Sequence, residues 1–185
     1  MNLNTQIHFV DINEDVVAVF ADKFKDMPNV SVIYGNVMKH KEITDFDAIV
    51  SPANSLGFMR GGIDGFYSQL FPEVEERVQK LINKKGYGTE RKYLPIGAAL
   101  ITRTGSDEIP FIVSAPTMRY PGSYIGKTDN AFLAFGAALR VIKAFNERYD
   151  NNKINYVFCP AFGTGVGGIS PEDAAEQMFR AYTEN

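Results

Sequence analysis

The sequence predicts a three-layer α/β/α sandwich around a mixed, mainly parallel β-sheet. Short runs rich in β-branched and aromatic residues alternate with longer segments of helical apolar spacing, which is typical of α/β domains. Two of the strand-like runs lead into glycine-rich loops, as expected where parallel strands end at a ligand-binding edge of a sheet. The 185 residues fit a single domain, residues 1–185, because one core in a chain of this size buries about 70% of the unfolded surface.

The sequence of the first part of the chain predicts a strand, a helix and then two further strands. Residues 7–12 form a β-rich run. Residues 14–25 place apolar side chains on one helical face, and Asn13 before them fits an N-cap. Residues 30–34 and 47–50 are short apolar strands.

The remainder of the chain continues the alternation. Helices are predicted at residues 72–85 and 129–149, and the second is apolar on nearly every side in its first half, as for a helix packed between layers. Strands are predicted at residues 96–102, 111–115 and 154–158. A last helix opens at Ser170-Pro171-Glu172-Asp173, where Ser fits the N-cap, Pro the first helical position and an acid the first turn.

Composition excludes several function classes. The net charge of −3 gives no reason to expect general affinity for nucleic acid or membranes. No apolar run is long enough to span a bilayer, and the N-terminus lacks a signal peptide pattern. The single cysteine, Cys159, fits a reducing, cytoplasmic or other intracellular compartment. Two distant histidines and one cysteine predict no metal site, and no cofactor is expected.

The loop at residues 159–170, CPAFGTGVGGIS, predicts an anion site. Gly163, Gly165 and Gly168 satisfy G-x-G-x-x-G, but the 17 residues after Gly168 are too few for the rest of a dinucleotide-binding unit. Successive glycines nevertheless allow backbone N–H groups to turn toward one point near a helix N-terminus, which suits a diphosphate. The alternative is a tight crossover packed against the sheet.

The loop after residues 47–50 carries sugar-binding chemistry. Asn54 offers two donors and an acceptor, which suits vicinal hydroxyls. Asp64 can accept a hydrogen bond from a sugar hydroxyl or orient a water, and Gly61 and Gly62 allow close backbone approach. The alternative makes Asn54 a turn residue and Asp64 the N-cap of a helix at residues 65–70.

Several motifs together resemble the macro domain, an ADP-ribose-binding α/β module. Residues 47–55, DAIVSPANS, are similar to the family's D-A-I-V-N-A-A-N, and residues 60–65, RGGIDG, to its G-G-G-V-D-G. Residues 94–99, LPIGAA, resemble its segment rich in Gly and Ala, and residues 163–168, GTGVGG, its diphosphate loop. The resemblance spans about residues 34–180.

The resemblance implies a role for each matching position. Asn54 and Asp64 would be catalytic, with Asn54 on the distal ribose (the one away from adenine) and Asp64 beside its reactive carbon or activating a water. The amides of residues 164–168 would hold the phosphates, and Asn36 would accept from the adenine amino group. The implied ligand-binding positions are Asp11, Ile12, Asn36, Val37, Ala53, Gly61, Gly62, Gly163, Thr164, Gly165, Val166, Gly167 and Gly168.

The sequence also departs from the family pattern. Asn36 replaces an aspartate, and Ser51 and Pro52 replace Asn and Ala, so one amide side chain is lost from the pocket. Gly167 stands where an aromatic often shields the distal ribose, which leaves the pocket more open or leaves an aromatic elsewhere to cover it. The candidates are Phe58, Phe66 and Tyr67.

The N-terminal segment resembles an element that many family members carry at their C-terminus. Residues 7–24 are similar to the strand and helix with which those members end, whereas this chain ends in a helix. We hypothesise a circular permutation, in which Asp11, Ile12 and Asn13 approach the adenine. The hypothesis requires residues 7–12 to lie near Asn36.

The resemblance favours hydrolysis at the distal ribose of an ADP-ribose derivative. Candidate substrates are ADP-ribose 1''-phosphate, an O-acyl-ADP-ribose, and ADP-ribose esterified to a protein or nucleic acid. A non-catalytic ADP-ribose or nucleotide-binding module is the alternative, and processing of a cyclic phosphate at an RNA end is a weaker one. The expected partners are ADP-ribose or a related nucleotide and an ADP-ribosylated protein or nucleic acid, but no membrane.

Other residues near these loops have open roles. Arg119 and Tyr120 fit either one wall of the cleft, with Tyr120 stacked on adenine, or a structural turn. Arg60 fits a phosphate contact or an exposed loop position. His40 is predicted to be a surface residue, and Cys159 is predicted to pack in the core.

Overall fold

A six-stranded sheet with helices on both faces forms the domain, as a computed structural model describes it for residues 5–36, 46–149, 151 and 153–184. The strands lie in the order β2-β1-β6-β3-β5-β4, and only the β4–β5 pair is antiparallel. This mixed, mainly parallel sheet confirms the predicted fold class. The strands are β1 (Gln6–Asp11), β2 (Val30–Tyr34), β3 (Ala48–Ser51), β4 (Leu100–Arg103), β5 (Phe111–Ser114) and β6 (Tyr156–Cys159).

The helices divide between the two faces of the sheet. They are α1 (Glu14–Phe24), α2 (Gly62–Leu70), α3 (Val74–Lys85), α4 (Asn130–Arg148) and α5 (Pro171–Glu184). Side chains from α1, α4 and α5 pack with Ala48 and Val50 of β3, whereas those from α2 and α3 pack with Ile49 between them. Successive strand residues point to opposite faces, so β3 is buried on both sides and has an unbroken apolar run. None of the helices in the described ranges is both long and apolar enough to cross a bilayer.

The predicted helix caps form as expected. The Asn13 side chain accepts from the Asp15 N–H at 2.9 Å, and Ser170 Oγ accepts from the Asp173 N–H at 3.1 Å. Each bond satisfies an N–H in a first helical turn, which has no partner within its helix. Both helices therefore begin where the sequence placed them.

Two strands begin later than predicted. β4 starts at Leu100 rather than at residue 96, because Gly97 has a φ of +86° and the Ala98 N–H bonds the Pro95 carbonyl in a turn. β6 starts at Tyr156 rather than at residue 154. The Ile154 backbone bonds the Asn146 side chain instead of a neighbouring strand.

The N-terminal strand lies inside the sheet, between β2 and β6. Phe9 is opposite Val32 on one side and Cys159 on the other. The Gly35 N–H donates to the Asp11 carbonyl at 2.9 Å, so the end of β1 lies beside Asn36. The proximity that the permutation hypothesis requires is therefore met.

Candidate functional site

One cleft of about 980 Å³ opens at the carboxyl ends of β1, β3 and β6. Parallel strands bring their following loops to the same edge of the sheet, and here the loops after β1, β3, β5 and β6 all contribute to the walls. The cleft therefore joins the two loops that the sequence singled out, so Asn54 and Gly165 face one space.

Most of the predicted site residues line this cleft. They are Asp11, Ile12, Asn36, Ala53, Asn54, Gly61, Gly62, Asp64, Gly163, Thr164, Gly165, Val166 and Gly167. Gly168 is absent from its walls. Val37 and His40 lie outside the described residues.

Asp64 is a buried acid facing the cleft. It lies in the first turn of α2 and is only 6% exposed, and it accepts a hydrogen bond from Ser51 Oγ at 2.7 Å. Burial raises its pKa to about 7; the Ser51 bond opposes this shift and the nearby charge of Glu75 adds to it. The N-cap of α2 is Gly61, so the reading of Asp64 as an N-cap is wrong. An acid that titrates near neutral pH is suited to proton transfer.

Ser51 contacts the candidate acid in a way that sequence reasoning missed. It replaces an amide of the family pattern, and the sequence indicated only a loss. The structure places its hydroxyl on the Asp64 carboxylate, 13 residues along the chain. The available signal was its position as the last residue of a strand that leads into the site.

Asn54 both lines the cleft and holds its own loop. Its side-chain oxygen accepts from the Leu56 and Phe58 N–H groups at 3.1 and 3.3 Å, and its amide group donates to the Phe58 carbonyl at 2.7 Å. The turn interpretation is therefore correct. The amide group has one further N–H, which leaves a single donor for a ligand.

The glycine loop presents a row of unpaired amides. Gly168 donates to the Gly165 carbonyl at 3.0 Å and Ile169 donates to Gly163 at 3.0 Å. Within the described ranges, the N–H groups of residues 164–167 have no acceptor on the protein. This corrects the expectation for Gly168, whose amide closes the loop instead of facing the cleft. Four adjacent donors above a helix N-terminus are a suitable arrangement for an anion.

The loop that carries Ile125 packs against the glycine loop. The Ile125 N–H donates to the Gly167 carbonyl at 2.8 Å. A Cβ on Gly167 would lie 2.7 Å from the Gly163 carbonyl oxygen and 2.8 Å from Ile125 Cγ1. Gly167 is therefore required by packing, and an aromatic side chain cannot occupy this position without moving the loop.

Two of the three candidate aromatics reach the cleft. Phe58 and Phe66 line it. Tyr67 is fully buried among α2, α3 and the sheet, and its hydroxyl donates to the Val50 carbonyl at 3.2 Å. The suggestion that Tyr67 covers the ligand is therefore wrong.

The end of β1 forms the wall opposite the loop after β3. The Asp11 carboxylate accepts from the Asn13 N–H at 2.9 Å, and burial raises its pKa. Ile12 is 72% exposed, although it lines the cleft. An exposed aliphatic side chain beside a carboxylate and Asn36 offers an apolar surface with nearby polar acceptors, as a purine base requires.

The remaining candidates occupy structural or rim positions. The Arg119 guanidinium lies 3.3 Å from the Tyr93 ring centroid, and Tyr120 is 58% exposed outside the cleft wall. Arg60 lines the cleft and pairs with Glu75 at 3.5 Å. Cys159 is completely buried, as predicted, and burial raises its pKa well above the usual value. The described residues hold no group of His, Cys, Asp or Glu side chains suited to a metal.

Comparison with known proteins agrees with this fold. The sequence model of the Macro domain family matches residues 50–178. An uncharacterised protein of Aeropyrum pernix is 37% identical over 137 residues, which are 73% of this chain and 62% of that protein. This chain thus spans somewhat less than two thirds of that relative.

Solved structures show the same likeness. The macrodomain of Mycobacterium tuberculosis DarG has a TM-score of 0.62 at 24% identity, covering 82% of this chain and 88% of that one. Thermosipho africanus DarTG, solved in complex with ADP-ribose, has a TM-score of 0.60 at 15% identity and covers 95% of this chain and 50% of its own.

The sandwich and the cleft at its strand ends define an α/β ligand-binding domain. With the family match over most of its length, the chain belongs to the Macro domain family.

Proposed function

We propose that the cleft binds ADP-ribose or a derivative and hydrolyses a group from its distal ribose. The observation that carries the proposal is the placement of a buried acid and a row of unpaired amides on one cleft, with Asp64 at one wall and residues 164–167 at another. Membership of a family with a relative solved in complex with ADP-ribose supports the choice of ligand.

The amides of residues 164–167 would bind the diphosphate. Backbone donors held by the loop's own hydrogen bonds require no rearrangement when an anion arrives, which strengthens their effect. The end of β1 and Asn36 would receive the adenine, and the distal ribose would then lie toward Asn54 and Asp64.

Asp64 would transfer a proton at the distal ribose. With a pKa of about 7, both its protonated and ionised forms are populated at neutral pH, so it can accept a proton from water or a ribose hydroxyl and return it to a leaving oxygen. Ser51 would position the carboxyl by its hydrogen bond. Suitable substrates are ADP-ribose 1''-phosphate, O-acyl-ADP-ribose and ADP-ribose esterified to a macromolecule.

A binding module without turnover is the second candidate. Asn54 favours it, because the side-chain oxygen that would orient the ribose already accepts two backbone N–H groups. Such a module would retain the diphosphate and adenine contacts and leave Asp64 without a reaction to catalyse.

Two measurements separate the candidates. Calorimetry with ADP-ribose tests binding, and incubation with ADP-ribose 1''-phosphate and ADP-ribosylated substrates tests turnover. We expect binding in the parent and in Asp64→Asn, and turnover in the parent only. Asp107→Asn, which removes an exposed carboxylate away from the cleft, is the matched control. Binding without turnover would identify a binding module, and no binding would refute both candidates.

A further inference from the structure

Residues 124–126, Tyr-Ile-Gly, pack against the glycine loop from outside the cleft wall. The Tyr124 ring lies so close to Gly168 that a Cβ on this glycine would be 2.7 Å from the ring atom Cε2. The Ile125 side chain is buried, and a Cβ on Gly167 would be 2.8 Å from its Cγ1 atom. The backbones are joined as well, because the Ile125 N–H donates to the Gly167 carbonyl at 2.8 Å. We call residues 124–126 the clamp segment.

Gly126 in the clamp segment is a glycine for reasons of space. Its φ lies outside the left-handed region that favours glycine, so the backbone conformation alone does not require this residue type. A Cβ at this position would nevertheless be 2.6 Å from the Tyr124 atom Cζ and would also meet the Gly168 carbonyl oxygen. The sequence of the clamp segment is therefore matched to its close contact with the glycine loop.

The clamp segment is itself anchored to α4 and α5. The Ile125 carbonyl accepts from the Thr128 N–H and from Thr128 Oγ, at 3.1 and 2.8 Å. Thr128 Oγ accepts from the Asn130 N–H at the start of α4 at 3.3 Å, and the Thr128 carbonyl accepts from the Gln177 side chain of α5 at 2.8 Å. Because the glycine loop leads directly into α5, both sides of the contact are fixed to the same helix.

The Tyr124 ring contacts the glycine loop and is still 68% exposed to solvent. A ring so open to water adds little to the apolar core, and the Tyr124 hydroxyl has no hydrogen-bond partner among the described residues. The ring does contact Gly168, whose N–H donates to the Gly165 carbonyl at 3.0 Å. Tyr124 therefore restrains the residue whose amide closes the glycine loop.

The glycine loop needs outside support to keep one shape. It has four glycines within residues 163–168, and glycine loses more conformational freedom on ordering than any other residue. Two internal hydrogen bonds oppose this loss, from Gly168 to Gly165 and from Ile169 to Gly163. Backbone N–H groups bind an anion best when they are oriented before it arrives. A contact that restrains the loop from outside therefore contributes to its affinity for a phosphate.

We propose that the clamp segment holds the glycine loop in the shape that binds the diphosphate, and that Tyr124 is a positioning residue for this ligand. The inference rests on the proposed function, because the diphosphate in question is that of ADP-ribose. Tyr124 lies outside the cleft wall and acts through another residue. Its ring restrains Gly168 and, through the loop, the amide row at residues 164–167.

Amide hydrogen exchange measured by NMR, together with calorimetry, tests the inference. Tyr124→Ala removes the ring, and Tyr124→Phe keeps the ring and removes only the hydroxyl. Tyr87→Ala is the matched control, because Tyr87 is 62% exposed but pairs with Tyr93 instead of the glycine loop. Exchange is followed at the Gly168 and Ile169 amides, which donate the two internal hydrogen bonds of the loop. Inorganic pyrophosphate and ADP-ribose are the titrants in the calorimeter.

In Tyr124→Ala, both amides should lose most of their protection from exchange. Affinity for pyrophosphate and for ADP-ribose should fall about fivefold or more, because apparent affinity scales with the population of the binding-competent form. The melting temperature should remain that of the parent, since the ring that is lost is largely exposed. Tyr124→Phe and Tyr87→Ala should match the parent in both exchange and affinity.

Three results would overturn the inference. They are unchanged protection of both amides in Tyr124→Ala, unchanged affinity of that variant for pyrophosphate, and an equal loss of affinity in Tyr124→Phe. Failure of the proposed function is distinct, because the parent would then bind pyrophosphate but not ADP-ribose, while exchange at the two amides would still report on the clamp segment. A parent that binds neither ligand would refute both.

Discussion

The stability of an Asp64→Asn variant relative to the parent protein should grow as pH rises. The folded-state pKa is about 7 against an ordinary value of 3.8, so between these values the folded protein binds more protons than the unfolded chain. Stability then falls as pH rises through that window. Asp64→Asn removes this loss because an amide does not titrate, and the new carbonyl can still accept the Ser51 hydrogen bond.

The magnitude follows from the size of the shift. Each pH unit between the two pKa values lowers the parent's free energy of unfolding by about 1.4 kcal/mol. The free energy of unfolding of Asp64→Asn should therefore rise by about 3 kcal/mol relative to that of the parent between pH 5 and pH 8.5. Other titrating groups, such as Asp11 with its raised pKa, are common to both proteins and cancel in the difference.

Urea denaturation of both proteins at a series of pH values measures the difference directly. Asp107→Asn, at an exposed position, controls for the loss of one carboxylate. A free-energy difference between Asp64→Asn and the parent that is constant from pH 5 to pH 8.5 would refute the reasoning. So would a parent that gains stability relative to the variant as pH rises.

Three further predictions test the loops and the core. Gly167→Ala should destabilise the fold by about 1–3 kcal/mol, because its Cβ meets the loop backbone. Gly165→Ala, whose Cβ has nothing within 4 Å, should have the melting temperature of the parent. Equal melting temperatures of the two variants would contradict this packing. Asn54→Ala should cost about 2 kcal/mol in urea denaturation because it leaves buried backbone groups unpaired. Asn54→Asp should also destabilise the fold, because a carboxylate oxygen would replace the amide group that donates to the Phe58 carbonyl at 2.7 Å; unfolding free energies equal to that of the parent would contradict this role. Cys159, fully buried with a raised pKa, should resist a thiol reagent in the native protein and react in denaturant; rapid native labelling would show that it is accessible.

The sequence was informative wherever a local rule operates. Asn13 and Ser170 were identified as helix caps because a cap bonds an N–H two or three residues away, a distance within reach of sequence patterns. The loops carrying Asn54 and Gly165 were expected at one edge because parallel strands all end there. Glycine spacing similarly indicated a loop with open backbone N–H groups, and those of residues 164–167 have no acceptor in the described part of the chain.

Longer-range contacts escaped prediction. Tyr67 lies one helical turn from the cleft-lining residue Ile63, yet it points into the core. Gly168 belongs to the glycine loop in sequence, but the hydrogen bond from its amide to Gly165 closes the loop. The Arg91 guanidinium lies 5.2 Å from the ring centroid of Phe58, and nothing in the sequence around either residue indicates that contact.

The sequence by itself therefore determined the α/β sandwich, the order of its elements and the two loops that meet at the strand ends. These features follow from periodicity and turn chemistry over a few neighbouring residues. Only the tertiary structure decided that Ser51 holds Asp64 and that burial raises the pKa of that acid to about 7. The physical reason is that the pKa depends on how much water the surrounding chain excludes and on which hydroxyl folding brings within bonding distance.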